Sequence, residues 1–282
     1  GLFSTNVRNY KNSDKDLNTS LENSSIDQMS KYGYKTTKTG FSIGTTYEQF
    51  KDIYFSPSFS NYYETMKTNS SASSTRKKQE GDYIDSAFNY IFVLNKLDQN
   101  FQPTDGYKSS FSQSIPLVSD DYTIINALEY AAYQSFKEDY IFGFNVLLKS
   151  ANSLNGDDIR ASKRLYVPSR RLRGFESGKI GPIDSGDFIG GNYMSVVNLS
   201  TNLPNLFTEV QNLDFTIFFD TANLWGVDFD SSLDNSKIRS STGIAVNWYT
   251  PIGPLSFSFA QPITKASSDV EETYRFDIGT TF

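Results

Sequence analysis

The chain has 282 residues, 15% of them aromatic, with 32 acidic against 26 basic side chains and a net charge of −6. That balance excludes a general nucleic-acid binder, which must neutralise phosphates with Lys and Arg spread over a broad surface. The absence of cysteine and histidine excludes disulfides, thiolate nucleophiles, His-based triads and the usual zinc sites.

No other residue set points to a cofactor or a metal, and the chain reads as non-enzymatic. No apolar run approaches the length of a membrane-spanning helix. Starting at Gly1, without an initiator Met or a leader, it reads as a processed chain or a fragment.

The prevailing hydrophobic period is two. Strands are expected near residues 1–10, 34–48, 50–60, 83–96, 106–115, 121–135, 138–150, 190–203, 211–224, 237–250, 254–264 and 270–282. Tyr140, Phe142, Phe144, Val146 and Leu148 share one face of their run. In "LDFTIFFDTA", Leu213, Phe215, Ile217 and Phe219 oppose Asp214, Thr216 and Asp220. Ile244, Val246 and Trp248 repeat the rule, as do Leu255, Phe257 and Phe259. The last run puts Tyr274, Phe276, Ile278 and Phe282 together. Each is a strand with one apolar face and one polar or small face.

A soluble sandwich would bury the apolar face, whereas a transmembrane barrel turns it out to lipid. The runs are about ten residues or longer, as tilted membrane strands require. Tight turns are expected at 49, 136–137 and 251–253. Long polar loops are expected at 11–33, 61–82, 151–189 and 225–236, all on one side of an up-and-down meander. The expected fold is all-β: a transmembrane antiparallel barrel wall of about twelve strands, an even count with both termini on the short-turn side. Residues 1–282 show no second domain, linker or repeat.

Two motifs stand out. The chain ends on Phe282 after alternating aromatic and aliphatic residues, like the assembly signal of outer-membrane barrels. In "RRLRGFESGKIGP", Leu172, Arg173, Gly174 and Phe175 sit in the longest loop, followed by "GGN" at 190–192. Together with "NKLDQNFQPTDGYKSS" at 95–110 and "GIAVNWYTPIGPLSFSFAQPI" at 243–263, they give a chain that resembles the BamA-type outer-membrane insertases over essentially its whole length.

The resemblance implies the C-terminal barrel of such a protein, truncated at its N-terminus. The POTRA modules and the first of about sixteen strands are missing, and "GLFSTNVRNY" looks like the fifth. It also implies a loop latch in the lumen. An inward guanidinium needs a carboxylate, or it carries a desolvation cost of several kcal/mol, and Arg engages one through two hydrogen bonds. Asp220 matches the family's partner. The Glu expected on the preceding strand falls on Ser200, with Glu129 as a substitute. Arg170 and Arg171 read as surface charges facing solvent or lipopolysaccharide.

The implied function is folding and insertion of barrel proteins into the outer membrane of a Gram-negative bacterium, through a seam at 270–282. The implied partners are unfolded barrel substrates, outer-membrane lipids and lipopolysaccharide, and assembly-machinery lipoproteins reached mainly through POTRA modules. Competing readings are a two-partner secretion or TamA-like pore, a passive porin and a soluble sandwich adhesin.

Overall fold

A computed structural model describes residues 3–12, 15–28, 34–137, 140–203, 212–250 and 253–278. In chain order the strands are β1 (Phe3–Asn12), β2 (Lys15–Gln28), β3 (Tyr34–Phe50), β4 (Ile53–Thr68), β5 (Gly81–Asn95), β6 (Gly106–Ser119), β7 (Thr123–Lys137) and β8 (Tyr140–Ser153). There follow β9 (Gly174–Phe175), β10 (Ile183–Asp184), β11 (Asp187–Phe188), β12 (Tyr193–Leu203), β13 (Leu213–Trp225), β14 (Arg239–Thr250), β15 (Gly253–Thr264), β16 (Glu271–Glu272) and β17 (Tyr274–Ile278). Thirteen of them form one sheet in sequence order, leaving out only the short β9, β10, β11 and β16. Neighbouring wall strands pair antiparallel throughout, and among the described residues the sheet is open between β1 and β17.

The period-two pattern decides which face goes where. On β13, Ile217 and Phe219 are exposed, while Phe218, Asp220, Ala222 and Leu224 are buried on the other face. Exposed Phe41, Phe92, Leu148, Ile244 and Phe257 continue the outer apolar surface along the sheet. A soluble monomer rarely exposes a continuous apolar patch of more than a few hundred Å², so this is a lipid face. Among the described residues no helix is long and apolar enough to cross a membrane. The wall is that of a transmembrane up-and-down barrel, with its core inside. Leu147, Met194, Val196 and Leu224 of the wall pack there on Ile159, Leu165, Leu172 and Phe175 of the loop between β8 and β12.

Two expected loops shrink. Residues 11–33 contain β2, and only 29–33 separate it from β3; β4 runs on to Thr68, leaving 69–80 as the next connection. The sheet therefore has thirteen strands rather than about twelve. With that odd count residue 3 stands at the long-loop edge and Ile278 at the short-turn edge. The cause is legible in β2. Its outward parity carries Leu17 and Leu21 but also Thr19, Asn23 and Ser25, so the apolar period is broken. A wet lumen demands no apolar partner on the other face. The turns expected at 49 and 136–137 are strand instead, since β3 runs to Phe50 opposite Ile53 and β7 to Lys137 opposite Tyr140; the turn expected at 251–253 falls partly outside the described residues, and Phe282 lies outside them.

The "NKLDQNFQPTDG" stretch is the 96–105 turn between β5 and β6. The Asp98 carboxylate accepts the Thr104 hydroxyl at 2.7 Å and the amides of Thr104 and Asp105 at 3.1 and 3.2 Å. Gly106 has φ +93°, and a Cβ there would lie 2.1 Å from the Lys96 carbonyl oxygen. The tip reaches the short-turn ends of β13 and β14. Gln102 donates to Asp214 at 2.6 Å, and the Phe101 ring meets Tyr249 edge-on at 5.3 Å.

Candidate functional site: the lumen loop

The connection from 154 to 192 folds into the lumen instead of over the rim. Its charges explain why. A buried cation without a partner costs several kcal/mol, and Arg160, Lys163, Arg164, Arg171 and Arg173 each meet a carboxylate of the wall or of its connections. Arg160 pairs with Asp121 at 3.1 Å and lies 3.7 Å from Glu64 of β4 and 3.8 Å from Asp85 of β5. Lys163 pairs with Asp85 at 3.1 Å. Arg164 pairs with Asp228 and donates to Asn192 at 3.1 Å. Arg171 pairs with Glu129 of β7.

From the neighbouring 69–80 connection, Arg76 pairs with Asp187 at 3.2 Å and stacks on Tyr34. Burial pushes the Asp184 carboxyl up, but hydrogen bonds from Thr75, Ser185 and Ser74 outweigh it and hold the group below the ordinary carboxylate range. A cavity of about 560 Å³ remains between the loop and the wall, bordered by Glu22, Lys38, Glu64, Asp85 and Lys163.

At the centre, Arg173 Nε and Nη2 donate to the two oxygens of Asp220, each at 2.8 Å, and the Arg173 amide donates to Oδ2 at 3.1 Å. Asp220 is 0% exposed. The guanidinium lies 3.4 Å from the centre of the Phe218 ring, a cation–π contact in a desolvated setting. Asn198 Nδ2 donates to Asp220 Oδ1 and to the Arg171 carbonyl, both at 2.8 Å. Ser241 donates its hydroxyl to the Arg173 carbonyl.

Gly174 has φ +91°, and an added Cβ would sit 3.2 Å from Ser241 Cβ and 3.3 Å from Ala260 Cβ. Only glycine lets the loop backbone lie this close to the wall. Leu172 and Phe175 are buried in the lumen core. The loop then pairs as a strand: β9 runs antiparallel to β16, Phe175 opposite Glu271 and Gly174 opposite Glu272.

Three residues stand elsewhere than the sequence suggested. Ser200 lies one inward step from Asn198, across from Phe218, with its hydroxyl against Gly143. Glu129 holds Arg171, not Arg173, and Arg171 is therefore a lumen charge, whereas Arg170 is exposed. Asn198 and Phe218 share the inward parity of Ser200 and Asp220, and that parity is the signal that marks them in the sequence. Tyr274, Phe276 and Ile278 of β17 are exposed on the lipid face, with the Phe276 ring tilted against Phe257 at 4.5 Å and Tyr274 near Phe259 at 5.2 Å.

Residues 3–282 match the Omp85 superfamily domain. The chain is similar to the outer membrane protein assembly factor BamA of Neorickettsia risticii, 24% identical over 256 residues that cover 88% of this chain and 34% of that one. BamA of Neisseria meningitidis serogroup B is 28% identical over 222 residues, 67% of this chain and 28% of its own. The sorting assembly machinery 50 kDa subunit of Saccharomyces cerevisiae is 28% identical over 229 residues, 74% of this chain and 46% of its own. The chain thus spans about a third of the length of the BamA relatives. In fold, it is similar to BamA from Haemophilus ducreyi lacking POTRA domains 1–3, with TM-score 0.85 and 24% identity over 99% of this chain and 61% of that one. CdiB from Acinetobacter baumannii follows at TM-score 0.60 and 10% identity, over 92% and 46%.

Proposed function

Because the chain belongs to the Omp85 superfamily, matching it over residues 3–282, we propose that it is the barrel of an insertase that folds other β-barrel proteins into the outer membrane of a Gram-negative bacterium. The observation that carries this reading is a loop folded into the lumen, fastened at Arg173 and Asp220 and strand-paired to the segment that leads into β17. The names of its relatives, outer membrane protein assembly factors, support it.

The mechanism is strand exchange, with no covalent step. Unpaired backbone groups in lipid cost several kcal/mol each, so an incoming strand gains strongly by pairing with an exposed wall edge. The seam beside the last strand offers that edge. The latch of Leu172, Arg173, Gly174 and Phe175, closed on Asp220, sets how readily the last strand moves. Partners are unfolded barrel chains and the lipids and lipopolysaccharide around the wall, with assembly lipoproteins engaged mainly through POTRA modules of the longer protein. A passive porin fits poorly, because Leu172 and Phe175 pack into a buried apolar cluster where an open constriction would be needed.

The test uses the full-length protein reconstituted in liposomes, with a urea-unfolded barrel substrate added and folding read by heat-modifiable gel mobility. The expected outcome is faster substrate folding than in protein-free liposomes. Large steady bilayer conductance with no acceleration of folding would favour a pore instead.

A further inference from the structure

The last strand does not follow its neighbour to the rim. Among the described residues β17 pairs with β15 from Leu255 to Phe259, and one more bond, from the Ala260 amide to the Thr273 carbonyl at 2.9 Å, ends that ladder toward the rim. β15 itself continues, still paired with β14, as far as Thr264. The chain above Thr273 instead leaves the wall for the lumen loop. Glu271 and Glu272 pair with Phe175 and Gly174. The Glu176 amide donates to the Val270 carbonyl at 2.9 Å, and the Val270 amide to the Lys179 carbonyl at 3.1 Å. Arg275 donates to the Phe175 carbonyl at 3.2 Å. The diverted segment is also pinned at its start, where Arg239 and Asp269, both fully buried, pair at 3.0 Å.

Pro262 explains the parting of the two strands. Backbone amides alternate sides along a strand. The Ala260 amide points toward β17, so the next nitrogen on that side belongs to residue 262, a proline with no N–H to give. The same parity turns the Pro262 nitrogen away from β14, so that ladder loses nothing. The proline ring also meets the loop, its Cδ 3.6 Å from where a Gly174 Cβ would stand. We propose that Pro262 is a positioning residue that ends the β15–β17 ladder and sends residues 270–273 to the lumen loop, joining the Arg173 latch and the last strand into one mechanical unit. The consequence for the seam rests on the insertase reading; the diversion of the strand does not.

The chain has no cysteine, so introduced pairs report the two arrangements cleanly. Phe175→Cys with Glu271→Cys stands on the β9–β16 register. Gln261→Cys with Glu272→Cys sits opposite only if the β15–β17 register is continued past Ala260. In the full-length protein with Pro262, the first pair crosslinks in preference to the second. Pro262→Ala and Pro262→Val restore the missing donor, and the ratio shifts toward the second pair by roughly five-fold or more, the effect of about one net hydrogen bond. An unchanged ratio in both variants would overturn the proposal. So would loss of the heat-modifiable folded band in both, because a donor restored at a strand edge should not unfold the wall. The ratio is read without any insertion assay, so it stands or falls separately from the insertase function.

Discussion

Asp220 is buried completely and has four donors around it, the amide, Nε and Nη2 of Arg173 and Nδ2 of Asn198. Breaking such a site from either side is unequal. Asp220→Ala leaves a mostly buried guanidinium over the Phe218 ring with no counter-charge, at a cost of about 3–5 kcal/mol. Asn198→Ala removes a neutral donor from a carboxylate that keeps its Arg, at a cost of about 1–2 kcal/mol. Urea titration of the heat-modifiable band in the two variants should rank them in that order, and equal losses would contradict the geometry. The pairing of Arg173 with an acid on the "FFDTANLW" strand could be argued from inward parity. Its neutral neighbour could not, since the resemblance pointed one inward step away, to Ser200. The lumen position of Arg171 is not legible for a simpler reason: composition marks a basic cluster but does not say which way a loop folds.

At the level of elements, the 96–105 turn carries a pH dependence of its own. The Thr104 hydroxyl, opposed by slight burial and helped by the amides of Asp105, Thr104 and Gln99, holds Asp98 below the ordinary carboxylate value. A carboxyl whose folded value is depressed stabilises the fold fully above its unfolded value, near 3.8. It loses that contribution as pH falls through the lower folded value. Amide exchange at Thr104 and Asp105, corrected for its intrinsic rate, should therefore lose protection only in strong acid, and Asp98→Asn should abolish the change.

Gly106→Ala meets both a positive φ and the Lys96 carbonyl oxygen. It should destabilise the turn by at least about 1–3 kcal/mol, visible as a lower urea midpoint than that of Gly156→Ala, where a Cβ meets nothing within 4 Å. The connection itself was legible as the gap between the strands expected at 83–96 and 106–115. Its reach to Asp214 and Tyr249 was not, because it depends on strands more than a hundred residues away. β2 was lost in a supposed loop because its two outward leucines are diluted by polar residues.

For the molecule as a whole, the wall strands facing lipid were the readable part, since alternation of large apolar residues leaves a strong period. The lumen was readable only in outline. Its acids on β4, β5, β7 and β13 are scattered through the sequence, and the cations that meet those four acids are crowded into one loop. Their matching appears once the wall is rolled around the loop. An acidic chain thus spends its local excess of positive charge internally, as spokes from the loop to the wall. Arg173 with Asp220 is the spoke next to the loop's strand pairing with β16.

The most direct test measures substrate folding by the full-length protein in liposomes for Arg173→Asp, Asp220→Arg and the charge-exchanged pair. The expected result is roughly ten-fold or greater loss in each single variant, from a buried charge left unpaired, and partial recovery in the exchanged pair. Folding rates equal to that of the unmodified protein in all three variants would contradict the latch.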